Sequence, residues 1–404
     1  MGPKFHRKVL SNGLTLLFEK RDTPVVSVAF AVRCGGINES LNEKGISHFI
    51  EHMLYKGTTT RTAHQIAEEI EKRGGDLNGF TDEAVTAYWC KMPSKHLNVA
   101  LDVLSDMVKN PLFDAQEMEK EKRVIIEEIK MRRDNPQTFV ADTIHSFLYK
   151  NPFGFHLAGS EKTLSGMTRE KVLERFRDVY QPKNMILCVV GNADFDSIVK
   201  FAEKNFTEKN STAKIPTYKI EKKDSSGIQK RRGIDQANLI LAHHIPIAED
   251  KRSYAGFVLN VLLAGGMSSR LFREIREKRN LAYAVKGIID VSKEFAYSMI
   301  YVGTNKENVP KVKDLILDEY KKVSEGLSEK ELAQVKDQVI GNFQISTEDS
   351  QVQLANLLMN EINGNAKELY EFEKHIRAVK LKDVQKLAAE VKGKDYSFFA
   401  LVPE

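Results

Sequence analysis

The chain repeats its own order of elements. Phe113-Asp-Ala-Gln-Glu117 falls on Leu327-Ser-Glu-Lys-Glu331, 214 residues further on, and both segments open a long helix. The strand Ala87–Lys91, its turn and the helix over 95–108 match Ser298–Val302, a turn and a helix over 307–320. The closing helix and strand, 168–179 and 185–190, match 381–391 and 396–401 in the same way. Within each copy the strands adjoin in pairs and are not separated by regular crossover helices, which argues against a doubly wound parallel sheet. The pattern predicts an α+β fold of two homologous domains, each a mainly antiparallel sheet packed with helices. Between Phe206 and Gly227 the periodicity dissolves into a polar stretch rich in Ser and Lys, the signature of a linker. The expected division is a first domain over 1–212, a linker over 213–227 and a second domain over 228–404.

Composition narrows the function classes. With 42% hydrophobic and 29% charged residues the chain is an ordinary globular one. Its 61 Lys and Arg against 56 Asp and Glu leave a formal charge of only +5. The basic clusters, Lys222-Lys223 and Lys230-Arg231-Arg232, are short and lack interleaved aromatics, so no nucleic-acid partner is expected. Cys34, Cys90 and Cys188 lie far apart with no CxxC pair, which indicates neither a disulfide framework nor a cysteine zinc site. No apolar run approaches the roughly 20 residues a membrane span needs. A soluble cytoplasmic protein with no membrane association is expected.

One segment carries chemistry. In Gly45-Ile-Ser-His-Phe-Ile-Glu-His-Met-Leu-Tyr55, His48 and His52 are one helical turn apart and Glu51 shares their side of the helix. Two imidazoles at that spacing can hold a zinc ion, and a carboxylate beside them can take a proton from a metal-activated water. A catalytic zinc also needs a third protein ligand. In the helix starting near Asp114, the carboxylates of Glu121 and Glu128 interrupt a stripe formed with Met118, Ile125 and Ile129. A buried carboxylate needs a positive partner, and zinc or a salt bridge with Arg132 or Lys122 would each serve. Glu127 lies about 100° around the helix from Glu128, off the stripe.

The H-x-x-E-H order and the Glu-Lys-Arg-Val-Ile-Ile-Glu-Glu128 helix resemble the pitrilysin, insulin-degrading enzyme and mitochondrial processing peptidase family of zinc peptidases, in its bacterial two-domain form. The resemblance covers essentially the whole chain. It implies zinc, one ion per chain, held by His48, His52 and Glu128, the last standing at the family's spacing of 76 residues after His52. It further implies Glu51 as general base and Glu121 as a carboxylate supporting the ligands. A substrate-binding edge strand is implied at Asn78, Gly79 and Phe80, with Gly79 standing where the family often has Ala.

The second half lacks the H-x-x-E-H, and Val335 and Asn342 stand opposite Glu121 and Glu128. It keeps Arg276 and Tyr283, which match the family's pair that contacts substrate and the tetrahedral intermediate. The implied activity is a zinc metalloendopeptidase on extended or unfolded peptides, working in a chamber of four such domains and therefore as a dimer. One chain carries both the metal motif and the Arg/Tyr pair, which favours a homodimer over a heterodimer with a paralogue. The alternatives are the catalytic subunit of an obligate heterodimer and a non-catalytic structural or chaperone-like member.

Overall fold

The computed structural model describes residues 4–208, 212–393 and 395–404. Two sheets organise the chain. The first contains β1 (Lys4–Val9), β2 (Thr15–Lys20), β3 (Val25–Val32), β4 (Asp76–Thr81), β5 (Thr86–Pro93) and β6 (Met185–Gly191), in the order β1-β2-β6-β3-β5-β4. The second contains β7 (Ser226–Arg231), β8 (Ala237–His244), β9 (Ala282–Val291), β10 (Ala296–Thr304) and β11 (Ser397–Pro403), in the order β7-β11-β8-β10-β9. Removing β1 leaves the same order twice, so the duplication read in the sequence is a duplication of topology. Each sheet is antiparallel except for one parallel pair, β2 with β6 and β7 with β11. The opening hairpin turns at Leu10–Leu14 between β1 and β2, with Gly13 at φ +91°.

The compact units are not the contiguous halves expected from the linker. One comprises Met1–Ile129, Leu157–Lys219 and Ser346–Leu369; the other comprises Lys130–His156, Ile220–Ile345 and Tyr370–Glu404. Each half of the sequence thus contributes one helix to the other half's sheet. In the first unit the helix Ser350–Ile362 packs on β3 and β6. Its Ser350 Oγ meets Ser27 Oγ at 2.8 Å, and Gln353 Nε2 donates to Glu19 Oε2 at 2.6 Å, both buried. Glu361, also buried, accepts from Arg7 Nη2 at 2.7 Å and from Arg33 Nη2 at 3.0 Å. In the second unit the helix Pro136–Leu148 packs on β8 and β11, with Phe147 against Phe399 at 5.1 Å between ring centroids. The last residues of the expected linker, 226–227, belong to β7.

Two helices position the site. The helix α1 (Ile46–Leu54) buries Ile46, Phe49, Ile50, Met53 and Leu54, spaced at three and four. Its N-terminus sits on Gly45 at φ +94°, a left-handed conformation that glycine adopts without strain. The buried Glu39 carboxylate accepts from the backbone N–H groups of Gly45 at 3.0 Å and Ser47 at 2.8 Å, satisfying donors that a helix start leaves orphaned. A second helix, Ala115–Asp134, follows from its sequence stripe and buries Met118, Glu121 and Ile125. Asn135 then caps the helix at Pro136, its Oδ1 accepting from Thr138 N at 3.0 Å.

Candidate metal centre

His48, His52 and Glu128 converge. Their ligand atoms form a triangle: His48 Nε2 to His52 Nε2 is 3.2 Å, and Glu128 Oε2 lies 3.6 Å from each. Two donors bound at about 2.1 Å around a tetrahedral ion stand about 3.4 Å apart. The three side chains therefore fit a zinc ion without rearrangement. Among the described residues they form the one group of at least three His, Cys, Asp or Glu side chains close enough to share a metal.

The atoms behind the triangle fix its chemistry. His52 Nδ1 lies 2.8 Å from Glu121 Oε1, a contact that keeps a proton on Nδ1 and leaves Nε2, whenever the ring is neutral, with its lone pair toward the triangle. The other oxygen of Glu121 meets Lys56 Nζ at 2.7 Å. Burial works to raise the Glu121 pKa, but hydrogen bonds from His52 and Lys56 outweigh it and hold the carboxyl below the usual range. Burial likewise opposes charge on His52, yet the hydrogen bonds to Glu121 and Glu128, with attraction from Glu51, carry its pKa up to about 9. A proton and a divalent cation compete for that site.

Glu51 stands beside the triangle and outside it. Its Oε2 accepts from Thr81 Oγ1 at 2.7 Å, and burial raises its pKa above the carboxylate norm. Thr81 lies at the end of β4, one of the two edge strands of the first sheet among the described residues, whose hydrogen-bonded neighbour is β5. Asn78 is exposed on that strand, with Oδ1 accepting from Gly79 N at 2.8 Å, and Gly79 and Phe80 are half-buried. Arg276 and Tyr283 lie in the second unit. There the Arg276 guanidinium stacks 5.0 Å from the Tyr283 ring centroid and its Nη1 donates to the Tyr283 carbonyl at 2.9 Å. Tyr283 is 74% exposed, so its phenol is presented to solvent.

Sequence reasoning missed Lys56, Thr81 and Glu39. Lys56 was within reach, one turn beyond His52 and followed by a glycine; Thr81 and Glu39 become neighbours of α1 only through the fold.

The family model described as "Insulinase (Peptidase family M16)" matches residues 15–161, and the model "Peptidase M16 inactive domain" matches residues 166–339. The chain belongs to this family of zinc peptidases. Among its relatives, "Uncharacterized zinc protease YmxG" of Bacillus subtilis is 33% identical over 402 residues, covering 98% of each chain. An "Uncharacterized zinc protease" of Rickettsia felis is 34% identical, covering 86% of this chain and 85% of its own. The fold matches a protease from Helicobacter pylori with a TM-score of 0.91 at 22% identity, over 99% of this chain and 100% of that one. A peptidase M16 inactive domain from Pseudomonas fluorescens matches with a TM-score of 0.86 at 19% identity, over 99% and 98%. The member described here accordingly has two α+β units with mixed sheets. Its second unit has lost the metal residues: Val335 is buried, and Arg270 instead forms a bidentate pair with Glu331 on the helix Glu329–Ser346.

Proposed function

We propose that the chain is a zinc-dependent endopeptidase that hydrolyses extended or unfolded peptides as half of a clam-shell dimer. The observation that carries this reading is the triangle of His48 Nε2, His52 Nε2 and Glu128 Oε2, with an acidic side chain standing free of it at Glu51. His48, His52 and Glu128 would hold the zinc ion, whose chemistry when bound would be that of a Lewis acid toward a water and a carbonyl. Glu51 takes the proton of the attacking water and returns it to the leaving nitrogen. Its burial strengthens it as a base, and Thr81 fixes the direction of its carboxylate. Glu121 and Lys56 hold the His52 ring and its tautomer.

The substrate class follows from β4. An edge strand offers unpaired backbone groups to which an extended peptide adds as a further strand. Asn78, Gly79 and Phe80 lie along it, and Thr81 at its end holds Glu51. Arg276 and Tyr283 complete the reading: a guanidinium steadies a substrate carbonyl and a phenol donates to a developing oxyanion. Their mutual contact and the exposure of Tyr283 support that use. Because the same chain carries the metal residues and this pair, the dimer is a homodimer. The three cysteines are free and buried, in keeping with a cytoplasmic protein, and no helix among the described residues is long and apolar enough to cross a membrane.

The test is peptide cleavage by the purified chain alone, with zinc measured on the same sample and a chelator control. Chelator-sensitive cleavage with about one zinc per chain supports the homodimeric peptidase. Bound zinc without cleavage across a varied peptide set indicates a missing partner subunit, and absence of both indicates a structural member.

A further inference from the structure

The carboxylate of Glu51 is buried, and among the described residues its one hydrogen-bond partner is the hydroxyl of Thr81, which donates to Oε2 at 2.7 Å. A carboxylate can accept about four hydrogen bonds, so a single donor leaves its orientation resting on one side chain. That side chain belongs to β4. Gly79 and Thr81, two residues apart, share one face of the strand, and Glu51 packs on that face at both positions. A β-carbon at position 79 would stand 3.1 Å from Glu51 Oε1, closer than ordinary contact, so the carboxylate lies tightly against bare backbone there. The strand itself is bonded on one side only, to β5, from the pair Asp76 and Lys91 to the pair Thr81 and Thr86. Its other side has no strand partner among the described residues. Such an edge is less firmly ordered than a strand paired on both sides, and an added strand orders it.

Resting on the peptidase reading above, we propose that Thr81 is a positioning residue that couples strand addition at β4 to the orientation of Glu51. A peptide paired along β4 orders the strand through to Thr81, and the Thr81 hydroxyl then holds the carboxylate in its productive direction. The base is best placed when the strand is occupied. Binding energy from substrate residues remote from the scissile bond is thereby spent on orienting a reacting group, so it appears in kcat and not only in KM. The coupling runs through one hydroxyl, because no other donor reaches the Glu51 carboxylate among the described residues. Valine matches threonine in shape and lacks that hydroxyl, whereas serine keeps it.

Thr81→Val and Thr81→Ser test this beside the wild type on two peptides that share one cleavage site. One is long enough to lie along all six residues of β4, and the other is truncated to the residues next to the scissile bond. Zinc content, kcat and KM are measured for each. The wild type should show the higher kcat on the long peptide. Thr81→Val should keep its zinc, and its KM within about twofold, while losing roughly tenfold in kcat on the long peptide, the worth of a hydrogen bond to a charged group. Its kcat should no longer depend on peptide length, and Thr81→Ser should restore both the rate and that dependence. Equal kcat on the two peptides in the wild type, wild-type kcat in Thr81→Val, or a length dependence that survives in it would overturn the proposal. Should the wild-type chain cleave nothing, it is the peptidase reading that fails. The link between the two residues is then read by thermal unfolding of Thr81→Val, Glu51→Ala and their combination. Melting-temperature losses that add without coupling would overturn it, and a combined loss smaller than the sum would support it.

Discussion

Glu121 Oε1 lies 2.8 Å from His52 Nδ1, on the side of the imidazole facing away from the metal triangle. This contact fixes both the rotation of the ring and the nitrogen that carries the proton. Glu121→Ala should therefore weaken zinc binding by about 10–100-fold while leaving all three ligands in place. Competition titration against a chromophoric chelator measures it, and an unchanged affinity would remove Glu121 from the site. Lys56→Ala should give a smaller loss, because Lys56 acts only through Glu121.

Glu51 is near the triangle without belonging to it. The change Glu51→Gln keeps size and burial and removes the base. Zinc content should stay at the wild-type level while kcat falls by about 10²–10⁴-fold, the usual contribution of a general base. Undiminished cleavage by this variant would refute the assigned role.

A metal that binds the folded triangle and not the unfolded chain stabilises the fold by mass action. Chelation should lower the melting temperature, and added zinc should restore it. His52→Ala should abolish both responses. A chelator effect that persists in this variant would place the bound metal elsewhere.

The helix Ser350–Ile362 is anchored through Glu361, whose carboxylate meets Arg7 and Arg33. Removing one member of a buried pair strands its partners, and because both arginines are partly wet the loss for Glu361→Ala should be about 2–4 kcal/mol. Urea unfolding checks this; a loss below about 0.5 kcal/mol would mean that the helix is held by apolar packing alone.

Acid should act through the same carboxylate and through Asp106. Burial favours the protonated form of each. Arg7 and Arg33 for Glu361, and Thr58, Asn110, Thr60 and Arg61 for Asp106, outweigh burial and depress both pKa values. A depressed carboxylate contributes stability that is fully present above its unfolded value and lost as pH falls through its folded one. Stability should therefore hold down to about pH 5 and then decline. In Asp106→Asn the decline should be shallower and start from a lower plateau; an unchanged slope would exclude Asp106 as a contributor.

The histidine pair and the buried Glu121 were legible because their signal is local. An i, i+4 pair of histidines names a helix face whatever that helix packs on, and the stripe through Met118, Glu121 and Ile125 names the buried face of its own helix. The duplication was legible for the same reason, since strand and turn order is written along the chain.

What the sequence could not assign was which sheet each amphipathic helix would cover. An apolar stripe specifies burial and not a partner, so Pro136–Leu148 and Ser350–Ile362 read as members of their own halves. Each packs instead on the sheet built from the other half. The surroundings of Glu51 were hidden likewise: Thr81 and Gly79 are about 30 residues away in sequence and meet it only because β4 runs beside α1. The sequence by itself determined the elements, their repeat and the pair of histidines able to bind a metal, set by spacing along the chain, while Glu128 as third ligand rested on the family resemblance. Only tertiary structure decided helix exchange and the polar shell of the site, because both depend on long-range pairings that local periodicity does not encode.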